Sequence, residues 1–316
     1  MATRRYLATR DAIAAVPPNL RSPLLHFVTT DVTPRSMRRG RRLMSLVTTK
    51  PGRGVRMTKE TVPAPSPVPV LVMTPVTAAF RRPAVLYLHG GGMIMGSAHS
   101  EANGAGRLAR DVDAVVVSPE YRLAPEHPFP AALDDCMATL RWMRDNATQL
   151  GIDPDRIAVA GSSAGGGLSA AVAQRAFDEG ITLRAQMLVY PMIDDRTTLR
   201  DDHHGRGRFM WTHKSNRFGW TSYLGREPRL SDAPEYAAPA RREDATGLAP
   251  AWIGVGSLDI LHDEAVAYAE KLRADGVECE LVTVPGMYHG ADGLAMKDPA
   301  MLAFRRSSID HLRAHL

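Results

Sequence analysis

Short apolar runs alternate with longer amphipathic stretches along most of the chain. Six of the runs have the form of strands buried on both faces of a parallel sheet: "AVLYLH" (84–89), "AVVVSP" (114–119), "RIAVAG" (156–161), "AQMLVYP" (185–191), "AWIGVG" (251–256) and "CELVTVP" (279–285). Ahead of them, "VRMTKETVPA" and "VPVLVMTP" predict two further extended segments. The prolines of the second favour an edge or hairpin position. Helical spacing fills most of the gaps: "AALDDCMATLRWMRDNATQL" (131–150), "GGGLSAAVAQRAFDEG" (165–180), "DEAVAYAEKLRADG" (263–276) and "DPAMLAFRRSSIDHLRAHL" (298–316). Strand alternating with helix predicts an α/β fold, a mostly parallel eight-stranded sheet covered by helices and joined by right-handed crossovers.

Two regions depart from this alternation. Residues 1–50 predict short N-terminal cap helices, interrupted by Pro17, Pro18, Pro23 and Pro34. Residues 192–235 carry no strand run and exceed ordinary loop lengths, yet Trp211, Phe218, Trp220 and Tyr223 argue that they fold. Lying between two core strands, they predict a helical cap over the carboxyl ends of the sheet, where open α/β sheets bind ligands. The core is then divided into 51–191 and 236–316.

Composition narrows the function classes. The 316 residues suffice for one large α/β domain with additions or for two small domains, and 44% hydrophobic with 23% charged residues excludes a mainly disordered chain. A net charge of +5 favours solubility without demanding nucleic acid. The basic run Arg35, Arg38, Arg39, Arg41 and Arg42 reads as a solvated helix face rather than a lipid contact. Cys136 and Cys279 are too few and too distant for a disulfide framework or a metal clip, so reduced thiols are expected. The N-terminus lacks the apolar core of a signal peptide, and no stretch approaches the ~20 apolar residues of a membrane span. The expectation is a cytoplasmic protein with neither a nucleic-acid partner nor stable membrane insertion.

The candidate chemistry centres on "RIAVAGSSAGGGLSAA" (156–171). A serine hydroxyl becomes a nucleophile when a base takes its proton and a carboxylate orients that base. On a strand–elbow–helix turn, small residues two before and two after the serine let neighbouring backbones pass. Ser163 has Gly161 and Gly165 at those offsets; Ser162 has Ala160 and Ala164. The competing reading, a phosphate-cradling loop or simple helix cap, lacks a Walker lysine or a G-x-G-x-x-G after the first strand.

In "YLHGGGMIMG" (87–96), three glycines after a strand suit an oxyanion hole, with N–H donors expected from Gly91, Gly92 and Ala164. His89 is expected to anchor that loop. The acid and base should follow in the order Asp, His: Asp259 in the loop after a strand, and His289 just after the last strand. Asp263 and Glu264 read as helix-start acids. His203 and His204 beside Asp201 and Asp202 match no common metal spacing, and no metal or organic cofactor is implied.

Together these motifs resemble the bacterial hormone-sensitive-lipase-like (family IV) esterases of the α/β-hydrolase fold. The likeness runs from about Pro83 to the C-terminus. It rests on "YLHGGG", "EYRLAPEHPFPAALDD", "DPDRIAVAGSSAGG", "YPMIDD", "DILHDE" and "GMYHG". The resemblance implies a triad of Ser163, Asp259 and His289, an oxyanion hole in the HGGG loop, and a cap built from the N-terminal helices and 192–235. It implies hydrolysis of short- to medium-chain acyl esters through an acyl-enzyme, with a small-molecule ester as partner and a homodimer through an edge strand or the last helix as an option. Three positions depart from the family pattern: Ser162 where Asp or Thr is usual, Ile260 for proline, and Ala291 for an aromatic. Arg122 and Glu126 are expected to brace the HGGG loop. Rival readings are an amidase or deacetylase using the same triad, or a ligand receptor of the gibberellin-receptor kind, which has lost the histidine that this chain retains.

Overall fold

The computed structural model describes residues 10–26, 31–45 and 49–316. The N-terminal reading against a signal peptide, and parts of the expected 1–50 helices, fall outside these residues. Eight strands form one sheet: β1 (Val55–Val62), β2 (Val68–Pro75), β3 (Arg82–Leu88), β4 (Val115–Pro119), β5 (Ile152–Ser162), β6 (Gln186–Val189), β7 (Ala251–Gly256) and β8 (Cys279–Val284). Their spatial order is β1-β2-β4-β3-β5-β6-β7-β8, with β2 antiparallel to both neighbours and the other pairs parallel. The hairpin expected of the proline-edged segment is formed with β1, but β2 itself is interior. Pro69 and Pro75 flank residues 70–73, which carry the pairing to β4, so neither proline withholds a donor from that ladder.

Helices alternate with the strands. A helical stretch spans 10–15 (α1), followed by α2 (Pro34–Ser45), α3 (Ala98–Val112), α4 (Ala131–Asp145), α5 (Ala147–Leu150) and α6 (Ala164–Asp178). Then come α7 (His213–Leu224), α8 (His262–Ala274), α9 (Ala291–Leu294) and α10 (Pro299–His315). Alternate strand residues feed opposite cores. Val85 and Val116 pack with Leu108 of α3, Leu272 of α8 and Phe304 of α10. Leu86 and Val117 pack with Leu133 and Leu140 of α4 and Leu168 and Val172 of α6. The sheet is therefore buried on both faces, which is why its central strands read as continuous apolar runs.

α3 has no counterpart among the helices read from pattern, because alanine and glycine dominate its buried side: Ala98, Ala102, Ala105 and Gly106. Its start is set by Ser97, whose side chain accepts from Ser100 N–H, and Glu101 lies in its first turn.

Residues 192–235 hold a 3-10 turn at Asp195–Leu199 and α7, with Trp211, Trp220 and Tyr223 buried. This segment is stitched to the N-terminal elements. Thr212 Oγ1 donates to Asp31 (2.7 Å), and Val32 N–H donates to Ser215 Oγ (2.8 Å). Both lie on the side of the sheet where β3, β5 and β7 end, as the contacts below establish.

Candidate active site

β5 ends at Ser162 and α6 begins at Ala164, so Ser163 alone makes the turn. Its backbone sits at φ 55, ψ −120, a conformation costing about 1–3 kcal/mol that surrounding contacts must hold. Ser163 N–H donates to Val189 O (2.9 Å), and Ser163 O accepts from Gly167 and Met192 N–H (3.0 Å each). A β-carbon on Gly165 would stand 2.0 Å from Leu88 O, and one on Gly161 2.4 Å from Gly165 O. The two glycines flanking Ser163 are thus dictated by the close approach of β3 to the elbow.

From there a continuous hydrogen-bonded chain leads away. His289 Nε2 lies 2.9 Å from Ser163 Oγ, and His289 Nδ1 lies 2.7 Å from Asp259 Oδ2. Asp259 is fully buried after β7, and its other oxygen accepts from Leu261 N–H (3.0 Å). That partner aims the carboxylate at the ring, so Nδ1 carries the proton and Nε2 faces the serine as acceptor. Tyr190 packs edge-on against His289 (centroids 4.6 Å apart), and Trp211 lies tilted to the same ring at 6.5 Å.

The three expected oxyanion donors are oriented by their own peptide units. A trans peptide points its N–H opposite to its carbonyl. Gly90 O is engaged by His89 Nδ1 (2.8 Å), Gly91 O accepts from Ile94 and Met95 N–H (3.1 and 3.0 Å), and Ser163 O is held as described. Those three carbonyls fix the directions of the Gly91, Gly92 and Ala164 N–H groups. Among the described residues none of the three has an acceptor. His89 anchors the loop as expected: its ring stacks on Tyr121 (4.1 Å), whose hydroxyl donates to His89 O (2.7 Å).

Other expected residues lie elsewhere or work differently. Arg122 does not reach the HGGG loop; it grips Asp135 of α4 through Nε and Nη2 (2.8 Å for the shorter contact). Glu126 acts through Arg41, which bonds both its oxygens at 2.9 Å and donates to Ile94 O (2.7 Å). One arginine of the basic run is therefore a structural tie to the loop. Asp263 and Glu264 stand in the first turn of α8, but Glu264 is buried and accepts from Ile193 and Asp194 N–H (2.8 and 3.2 Å). Burial, then the nearby Asp194, pushes its carboxyl well above the usual range. His203 is hydrogen-bonded to His213 rather than grouped with His204, and no cluster of three metal-ligand side chains occurs among the described residues.

Ser162 makes no hydrogen bond to His289, whose two ring nitrogens face Asp259 and Ser163. It lines a cavity of about 1020 Å³ between α3 and α10, together with Tyr87, Glu101, Tyr190 and Asp292; neither Ser163 nor His289 is among the lining residues.

The family model for the alpha/beta hydrolase fold matches residues 85–292, from β3 through His289. The chain belongs to the α/β hydrolase family. The kinship with bacterial hormone-sensitive-lipase-like esterases stands with it. The hydrolase is 40% identical over 243 residues to carboxylesterase NlhH of Mycobacterium tuberculosis, covering 74% of each chain. It is 40% identical over 221 residues to esterase LipI of the same organism, covering 69% of this chain and 68% of LipI. Among solved structures, a bacterial heroin esterase superposes on the hydrolase with a TM-score of 0.87 at 32% identity, covering 96% of this chain and 99% of that one. No helix among the described residues of the hydrolase is long and apolar enough to cross a membrane. Reading the sequence misses two residues beside its site, Glu101 and Tyr190. Glu101 is hidden because α3 shows little contrast between its faces, whereas Tyr190 opens the "YPMIDD" motif, whose spacing does not reveal its contact with His289.

Proposed function

We propose that the protein is a carboxylesterase that hydrolyses short- to medium-chain acyl esters through an acyl-enzyme on Ser163. The observation that carries this reading is the unbroken relay from Asp259 to His289 to Ser163, at 2.7 and 2.9 Å. Ser163 Oγ attacks the ester carbonyl as His289 Nε2 takes its proton, and buried Asp259 stabilises the imidazolium that forms. The Gly91, Gly92 and Ala164 N–H groups receive the oxyanion, each such donor being worth about 10²–10³ in turnover. His289 then protonates the leaving alcohol, and water repeats the sequence to release the acid.

In this reading the N-terminal elements and 192–235 act as the cap, with Trp211 closing the acyl side of the pocket and limiting chain length. The ester activity borne by the names of NlhH and LipI supports the reaction class. A cytoplasmic location suits the two unpaired cysteines, Cys136 and Cys279. The test is a p-nitrophenyl ester series from acetate to palmitate, with a fluorophosphonate label read by mass spectrometry. Turnover peaking among the shorter chains and a single adduct on Ser163 are expected. No hydrolysis of any member and no adduct would overturn the proposal.

A further inference from the structure

The loop from Gly90 to Gly96 connects β3 to α3, and both ends of its first peptide are pinned. The carbonyl of the His89–Gly90 peptide accepts from Tyr121 Oη at 2.7 Å, and its N–H donates to Glu101 Oε1 at 2.9 Å. The second oxygen of Glu101 accepts from Tyr87 Oη at 2.8 Å. Tyr87 is a β3 residue, so one carboxylate ties the strand, the loop and the helix at a single point. Ser162 Oγ completes the cluster. It lies 3.2 Å from where a β-carbon on Gly90 would stand and lines the same cavity as Tyr87 and Glu101.

We propose that Glu101 is a positioning residue for the oxyanion loop, holding Gly90 with one carboxylate oxygen and bracing itself on Tyr87 with the other, so that the Gly91 and Gly92 N–H groups are held on the developing oxyanion. This inference rests on the ester-hydrolysis reading of the site. A charge-assisted hydrogen bond to a backbone N–H is stronger than a neutral one and sets a direction. The chain between Gly90 and Gly92 has no side chains to steer it, so its orientation comes from such backbone contacts. Glu101 touches neither substrate nor nucleophile. Its effect passes through Gly90, and Tyr87 has the same effect at one remove. Ser162 borders this cluster at Gly90, which puts the residue before the nucleophile beside the brace rather than in the relay.

The consequence is selective for states that carry an oxyanion. Glu101→Ala is expected to lower kcat on p-nitrophenyl acetate about 10- to 100-fold, within the range of a lost oxyanion donor, with KM changed by less than about threefold. Glu101→Gln keeps an acceptor for Gly90 and is expected to recover most of the loss. The decisive readout is an aryl trifluoromethyl ketone, whose hemiketal with Ser163 is an oxyanion. Its Ki should rise by the same factor as kcat/KM falls, on enzyme counted by fluorophosphonate titration. Titration removes any contribution from misfolded protein. If Glu101→Ala does not fold, Glu101→Asp is read in the same way, its shorter side chain being unable to reach Gly90 and Tyr87 together. Wild-type kcat in the variant, or lost kcat with an unchanged Ki, overturns the inference. Wild-type enzyme that neither titrates nor turns over ester overturns the functional reading instead.

Discussion

The indole of Trp211 occupies the space where residue 92 would carry a side chain: a β-carbon on Gly92 would lie 2.1 Å from Trp211 Cη2. Trp211 is itself fixed, donating Nε1–H to Asn216 Oδ1 of α7 at 3.1 Å. A residue of the 192–235 segment thus sits directly on the oxyanion loop, and the glycine beneath it has a φ of +64.

Gly92→Ala should therefore lower kcat/KM on p-nitrophenyl acetate at least about tenfold, since it adds both a clash and strain at positive φ. Trp211→Ala on its own should widen the acyl preference toward longer esters. The double variant should be more active than Gly92→Ala if the clash dominates. A double-mutant cycle on esters of two chain lengths checks this; strictly additive losses would separate the two residues.

Ser163→Ala should abolish turnover, by about 10⁴-fold or more, as loss of a nucleophile acting in a triad does. Ser162→Ala should stay within about tenfold of wild type, because the hydroxyl that meets His289 is that of Ser163. Single-turnover assays on both variants decide the register of the elbow, and the opposite pattern would assign the nucleophile to Ser162.

Asp259→Asn should cost about 10⁴ in kcat with the fold retained, since the amide would present a donor where His289 Nδ1–H needs an acceptor. Unchanged circular dichroism with lost turnover is the expected pair of results. Retention of a tenth of the activity would move the acid's role to another carboxylate, Asp263 first.

Stability should fall in mild acid through His203 and His213. Burial depresses both imidazoles below the ordinary value of 6.5, followed by the neighbouring His213 for His203 and by Arg217 for His213. A depressed histidine contributes stability that is complete above 6.5 and is lost as pH falls below it, toward its lower folded value. Thermal unfolding should shift downward between about pH 7 and pH 5. His213→Gln should reduce that shift. An equal shift in the variant would place the acid-sensitive groups elsewhere.

The strands and most helices were legible because a doubly covered sheet demands apolar runs, and α4, α6, α8 and α10 carry a clear helical period or end signals. α3 was not, because it packs with alanine and glycine, whose burial leaves little contrast between faces. The interior place of β2 was missed for a different reason. Prolines at a strand's ends look like edge signals until the register reveals that only residues 70–73 are paired with β4. Arg122 is expected at the HGGG loop, but the fold turns it to Asp135 on α4, a bidentate partner that no local spacing marks.

Local sequence determined which residues can do chemistry: a serine with glycines two away on each side, a glycine run after a strand, and an acid and a histidine in loops after later strands. These are legible because backbone close approach and strand–turn–helix geometry are local constraints, written in residue size and spacing. Tertiary structure decided what orients them. His289 reaches Ser163 and Asp259 only because the consecutive parallel strands β5, β6, β7 and β8 end on the same side of the sheet. Glu101 reaches Gly90, and Trp211 covers Gly92, across distances in sequence that no periodicity encodes. The hydrogen bonds that aim the Gly91, Gly92 and Ala164 N–H groups depend on carbonyls whose partners are chosen by packing. That is why the asymmetry between Ser162 and Ser163 could be read from the chain, while the bracing role inferred for Glu101 required the fold.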